Sequence, residues 1–348
     1  MWEVVGHEEA VALLSKSLEK DMLSHAYLFV GPPQVGKTTL AMNLAQGVNC
    51  LESPPERPCS ECTQCRRIAT RQHPDVQVID LVANSDGSAI RREIGINQVR
   101  DVQHSATLKP YEGKYRVFIF QEASSLSSEA SNALLKLLEE PPESVLIILL
   151  TSDIESIFPT IVSRCQWVGL NYVALSTIGR ELQNTLGTSQ QEAMNLARLS
   201  KGRIGWALEA AGESQLMDDY STELERVASL LDETLEGRFA YAEEMATLYA
   251  RNREKAVEQL KTAVSWWRDL LVLKKGRGEY VANMPSMEAL QYHAGWISTP
   301  QVMEAIKRIR DTIGYMETNV NPRLALEVLM LSLPRREDQL RPEASRLR

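Results

Sequence analysis

The chain has 348 residues, enough for two or three domains that each bury a core. Its 44% apolar and 24% charged residues exclude a disordered chain, and a formal net charge of −8 excludes coating of nucleic acid by overall charge, leaving room for a local basic face. No apolar run approaches the length of a membrane span and the start lacks the features of a signal peptide, so a cytoplasmic location is expected, with the five cysteines as metal ligands or reduced thiols rather than disulfides.

Residues 1–25 carry a helical stripe of Ala10, Leu13, Leu14 and Leu18, followed by the apolar strand Ala26–Val30. Next comes Gly31-Pro32-Pro33-Gln34-Val35-Gly36-Lys37-Thr38, which fits the phosphate-binding pattern G-x-x-x-x-G-K-[ST] at every fixed position. A helix with Leu40, Ala41, Leu44, Ala45 and Val48 follows, running out near Gly47. Strand, loop and helix are the context the chemistry needs. Glycines let backbone N–H groups approach a phosphate chain, and the helix directs its positive dipole end at it. Gly31, Gly36, Lys37, Thr38 and Thr39 form the expected ATP-binding set, with Lys37 on the β- and γ-phosphates and Thr38 on magnesium. The alternative is a plain glycine turn with Lys37 solvated.

Cys50, Cys59, Cys62 and Cys65 read C-x8-C-x2-C-x2-C, with Pro54, Pro55 and Pro58 keeping the intervening loop non-helical. Four thiolates at this spacing can close a tetrahedral zinc site that is structural, because it has no open position. Free thiols and an iron–sulfur cluster are the alternatives. The bacterial iron–sulfur run has a fourth cysteine three residues on, followed by Pro, and that is absent here.

Val76–Leu81 reads as a second strand, then a Gly/Ser/Asp turn, then a helix carrying Ile96, Val99, Val102 and Ala106 that Pro110 ends. Arg116–Phe120 is a nearly all-apolar third strand, as a parallel sheet covered on both faces requires. It ends in Gln121-Glu122, where a hydrolysing P-loop site places an acidic pair. Glu122 is a residual candidate for polarising water, or else a solvated carboxylate, while Gln121 has a carbonyl oxygen but no charge. Ser127–Glu140 is a helix burying Ala130, Ala133, Leu134, Leu137 and Leu138, stopped by Pro141-Pro142. Val145–Leu150 is a fourth strand, and Thr151 and Ser152 at its end either touch a γ-phosphate or form a strand-end turn. Pro159–Cys165 precedes a short strand, Trp167–Leu170. The alternation predicts an α/β domain.

His25-Ala26-Tyr27-Leu28-Phe29, the P-loop, the four cysteines, the run Asn132–Pro142 and Ser163-Arg164-Cys165 together resemble the bacterial DNA polymerase III clamp loader of the AAA+ family over about the first 210 residues. The resemblance implies an α/β P-loop AAA+ domain over residues 1–170 with a zinc insertion at 50–65. It also implies a helical lid at 171–213 and an all-α oligomerisation collar at 214–334, ahead of a charged tail at 335–348. It implies that Arg164 is an arginine finger acting in a neighbouring subunit's ATP site, a task suited to a planar, permanently charged fork. A surface charge near an edge strand is the plainer alternative. Implied partners are gamma/tau and delta subunits, the sliding clamp and primed-template DNA.

Two kinds of subunit in that family share these motifs: the ATP-hydrolysing gamma/tau motor and the comparatively rigid delta-prime stator. Gln121 stands where the motor has Asp, Gly205 stands where its lid Arg would fall, and the chain ends without the tau extension. These favour the delta-prime kind with weak or absent ATPase activity of its own, whereas the intact Gly36-Lys37-Thr38 favours retained nucleotide binding. In the C-terminal part, Ala256, Leu260, Ala263, Trp267, Leu270 and Leu271 are expected as a core stripe taking one ring of the pair Trp266-Trp267. Asn321-Pro322 is expected to cap a last helix bearing Leu324, Ala325, Val328 and Leu331.

Overall fold

A computed structural model describes residues 2–53, 55–81, 93–317 and 320–336. The turn expected after Leu81 and the tail beyond Arg336 lie outside them. The chain forms two compact units, Met1–Leu208 and Glu209–Arg348.

The first unit runs α1 (Glu8–Glu19), β1 (Ala26–Val30), α2 (Lys37–Asn49), α3 (Thr63–Ala69), β2 (Val76–Ile79), α4 (Ile96–Ala106), β3 (Arg116–Phe120), α5 (Ser128–Glu139), β4 (Val145–Thr151), α6 (Pro159–Val162), β5 (Gln166–Gly169), α7 (Leu175–Leu186), α8 (Gln190–Ser200) and the start of α9 (Ile204–Gly212). Its five strands are ordered β2-β3-β4-β1-β5 and pair in parallel. Alternate strand residues serve opposite faces: Tyr27, Phe29, Val117, Ile119, Leu146 and Ile148 join Leu14, Leu40 and Leu44 of α1 and α2. Ala26, Leu28, Phe118, Phe120, Ile147 and Leu149 join Val99, Val102, Leu134 and Leu138 of α4 and α5. Both faces are covered, which is why these strands read as unbroken apolar runs. The expected P-loop α/β class therefore holds. Two short helices, α3 and α6, are additions to the expected elements, and Leu13, expected on the α1 stripe, is 41% exposed.

Asp75, fully buried before β2, ties two strand starts together. It accepts N–H bonds from Tyr111 at 2.7 Å and from Glu112 and Gly113 at 2.9 Å, and pairs with Arg116 of β3 at 3.2 Å. Burial opposes its ionisation, but the three N–H donors and the guanidinium outweigh it and hold the carboxyl below its ordinary value. A depressed carboxyl contributes stability above the unfolded pKa of about 4 and loses it as pH falls through the lower folded value. Asp75→Asn is expected to cost about 3 kcal/mol in urea unfolding at neutral pH and to flatten the acid limb of a stability–pH series.

The second unit is all helical: α10 (Ser214–Ser229), α11 (Leu235–Arg251), α12 (Arg253–Lys274), α13 (Met287–Trp296), α14 (Thr299–Glu317) and α15 (Pro322–Ser332). α12 is packed by α10, α11, α13 and α14. Being surrounded, it buries both Trp266 and Trp267, where the stripe allowed for one ring. Asn321 caps α15 as expected, its Oδ1 accepting from Arg323 N at 3.0 Å. The buried face is different: Ala325, Leu326, Leu329 and Met330 are buried, whereas Leu324, Val328 and Leu331 are 53–58% exposed. α15 is apolar on nearly every side, so spacing alone cannot choose its face. The buried guanidinium of Arg238 donates to the carbonyls of Leu230, Met330, Leu333 and Pro334 at 2.7–2.9 Å, closing the end of α15. Among the described residues no helix is long and apolar enough to cross a membrane.

Candidate functional site

Parallel pairing sets Val30 of β1 opposite Thr151 of β4, so the loop after β1 emerges beside the end of β4. Gly31 N donates to Thr151 O at 3.1 Å, and a Cβ on Gly31 would lie 2.3 Å from Leu170 O, so only glycine fits. The loop closes through left-handed Gly36 at φ 109°, which caps α2. Lys37, on the first turn of α2, folds back and donates from Nζ to Gly31 O at 2.6 Å and Pro32 O at 2.8 Å. Burial lowers its pKa, while the charge of Glu122 acts the other way. Thr38 is half-buried and Thr39 exposed at the helix start. The structure thus gathers Gly31, Gly36, Lys37, Thr38, Thr39, Glu122 and Thr151 at one end of the sheet. This is a concave turn of backbone N–H groups, a lysine and a helix N-terminus, able to cradle phosphate.

One of its members, Thr151, and the neighbouring Gln121 are engaged elsewhere. The Thr151 hydroxyl, fully buried, donates to Asp153 O at 2.8 Å and accepts from Asp153 N at 3.1 Å, the strand-end turn arrangement. Gln121 turns toward β2, its amide lying 3.1 Å from Asp80 Oδ2 and 3.2 Å from Arg71 Nη2, and the orientation that satisfies both puts the nitrogen on the carboxylate and the oxygen on the guanidinium. Glu122 is exposed just beyond.

Neighbouring segments cover the loop. Gly205 N, on the first turn of α9, donates to Gln34 O at 2.8 Å, and a Cβ there would stand 3.1 Å from that oxygen. A side chain at 205 requires the loop at Gln34 to give by a few tenths of an ångström. Arg203 instead lies over the Trp206 ring and donates to Ser200 O. On another side, buried His7 donates from Nε2 to Val35 O at 2.8 Å. The backbone N–H groups of Glu3 and Val4 bond Asn43 Oδ1 of α2 at 2.8 and 3.3 Å. Sequence reasoning missed His7 and Asn43. A polar residue on an otherwise apolar helix face was the only signal, and Asn43 carried it.

The cysteines sit at the other end of α2. Cys50 caps its C-terminus, Cys62 caps the N-terminus of α3, and Cys65 is buried on α3. All four sulfurs lie within 4.8 Å of one another, and Cys59 Sγ is 3.9 Å from Cys65 Sγ, close to the ~3.8 Å edge of a tetrahedron built on metal–sulfur bonds. Backbone N–H groups of Cys62 and Cys65 point at Cys59 Sγ and Cys62 Sγ, at 3.3 and 3.5 Å, and left-handed Ser60 makes the turn between them. Burial raises the Cys50 and Cys65 thiols. Burial also opposes Cys62, but the N–H groups of Leu51 and Cys65 outweigh it and bring that thiol down to about 7. The set fits a metal ion. Gln46 Nε2 donates to Cys65 O at 3.0 Å and its Oε1 accepts from Asn43 Nδ2 at 2.9 Å, so a buried polar row links the cluster to the segment covering the P-loop.

Arg164 belongs to neither group. It follows α6 on the surface, its Nη2 donating to Glu139 Oε1 at 2.8 Å and its Nη1 to Thr160 O at 2.9 Å. Cys165 beside it is mostly buried, which raises its thiol to about 12.

The family model described as DNA polymerase III, delta subunit, matches residues 6–174. The gamma/tau subunit of DNA polymerase III from Mycobacterium tuberculosis H37Rv is 40% identical over 162 residues, 47% of this chain but only 27% of that protein's length. The tau subunit of Bacillus subtilis is 28% identical, covering 95% of this chain and 61% of its own. The delta' subunit of Bacillus subtilis is 27% identical over 325 residues, 92% of this chain and 94% of its own.

Proposed function

We propose that this chain, similar to DNA polymerase III clamp-loader subunits over nearly its whole length, is a delta-prime-like stator of that family. In this role it presents Arg164 to the ATP site of an adjoining gamma/tau subunit while the ring, with a delta subunit, places the sliding clamp on primed DNA. The observation that carries the reading is Gln121. At the position where a hydrolysing site needs a carboxylate for magnesium, a neutral amide is held by Asp80 and Arg71. Gly205, which offers Gln34 a backbone N–H and no side chain, supports it from the lid. The four cysteines hold structural zinc, the ion that sulfur tetrahedra of this kind favour, and the P-loop retains ATP and magnesium binding through Lys37 and Thr38.

A gamma/tau-like motor is the second reading, favoured by the intact P-loop and by the 40% identity to a gamma/tau subunit. ATP turnover by the isolated chain separates the two. The stator shows no turnover that Lys37→Ala removes, while nucleotide binding by the wild-type chain is weakened at least tenfold in that variant, which loses the phosphate-reaching ammonium. Turnover abolished by Lys37→Ala reinstates the motor.

A further inference from the structure

We propose that Glu139 is the positioning residue for Arg164, holding its guanidinium in the orientation in which an adjoining subunit's nucleotide meets it. This rests on the finger reading of Arg164. Arg164 is tethered from two directions. Its Nη2 donates to Glu139 Oε1 at 2.8 Å, and its Nη1 donates to Thr160 O at 2.9 Å and reaches Ser163 Oγ at 3.4 Å. None of these contacts uses Nε.

Both anchors stand on fixed elements. Glu139 is the last residue of α5, and Glu140 leaves the helix at φ −125°, ψ 67° because Pro141 disfavours helical backbone before it and Pro142 cannot continue the ladder. Thr160 is on α6, whose Ile161 shares a core with Leu134 and Leu138 of α5. The sequence Glu139-Glu140-Pro141-Pro142, which the nucleotide site does not use, thereby acquires a purpose. It ends α5 where a carboxylate reaches the finger.

The ion pair does little for the fold. Its side chains are 36% and 50% exposed, a setting in which such pairs add next to nothing to stability. What the contact does change is the freedom of a long side chain. An unrestrained arginine must be ordered as charge develops on the transferring phosphoryl group, and a fork already aimed avoids most of that cost. Because the pair is solvated, a phosphate oxygen can share or take over the Nη2 donor without leaving a buried charge behind.

The test uses the complex assembled with gamma/tau and delta subunits, with turnover read throughout as single-turnover hydrolysis at the one site next to this chain, over a range of ATP concentrations. Glu139→Gln, which keeps the side-chain shape and removes the charge, is expected to lower the single-turnover rate constant at that site about fivefold, with the half-saturating ATP concentration unchanged. In an Arg164→Ala background it should have no further effect, since its action passes through the arginine. Full turnover in Glu139→Gln, with Arg164→Ala impaired, overturns the positioning and leaves the finger standing. Additive losses in the double variant also overturn it, as they would mark a merely structural role. Unchanged turnover in Arg164→Ala removes the finger reading itself. An unaltered urea midpoint for Glu139→Gln establishes that the fold is intact in each comparison.

Discussion

Replacing Arg164 by Ala is expected to cut ATP hydrolysis at the adjoining subunit's site by roughly a thousandfold, at the low end of what arginine fingers supply. The transferring phosphoryl group spreads charge over its oxygens, and a fixed cation brought from across an interface stabilises that charge without reorganisation. A ring with several sites keeps the turnover of the others, so the loss is read in single turnover at the one site next to this chain. Arg164→Lys should recover little, because a point charge cannot replace a planar fork. Nucleotide binding at this chain's own P-loop should be untouched, since Arg164 lies outside that group of residues and its contacts are to Glu139 and Thr160. Undiminished single turnover in the Ala variant would remove the finger assignment.

Cys65→Ser is expected to abolish metal retention and to lower the stability of the first unit by on the order of 5 kcal/mol. Cys65 is a buried sulfur of the cluster, and its carbonyl receives Gln46, which holds Asn43, which holds the N–H groups of Glu3 and Val4. Losing the ion should therefore raise hydrogen exchange at Glu3 and Val4 as well as within residues 50–65. A chelator strong enough to strip the wild-type chain should reproduce both effects. Metal content equal to wild type would sink the site. Exchange confined to the cysteine loop would show that the polar row carries no coupling.

The parts of this chain that could be read from its sequence are those where one requirement dominates. Strands covered on both faces must be apolar throughout, so β1, β3 and β4 were legible almost to the residue. The fixed glycines ahead of Lys37 and the regularly spaced cysteines stood out as well, and each set is brought together in space. What escaped depends on three-dimensional company. α15 is apolar on too many sides for spacing to pick the side that faces the core, and the exposed Leu324, Val328 and Leu331 reversed the expectation. Trp266 and Trp267 are both buried because α12 has neighbours on several sides, a circumstance no single stripe encodes. Thr151 and Gln121 sit where a nucleotide site would use them, yet their polar atoms are taken by Asp153, Asp80 and Arg71. Partners of that kind come from other strands and turns, so only coordinates reveal them.

The strand order has a consequence for how the chain is made. β1 comes early, at Ala26–Val30, but both strands that flank it come late, at Val145–Thr151 and Gln166–Gly169. At ribosomal speed it waits on the order of ten seconds for its neighbours. Throughout that interval Ala-Tyr-Leu-Phe-Val is an apolar strand with two open edges, the kind of segment that pairs with strangers. The cysteine loop faces no such delay, since its ligands lie within residues 50–65 and short loops close at little entropic cost. The four cysteines can thus come together long before the sheet beside them exists.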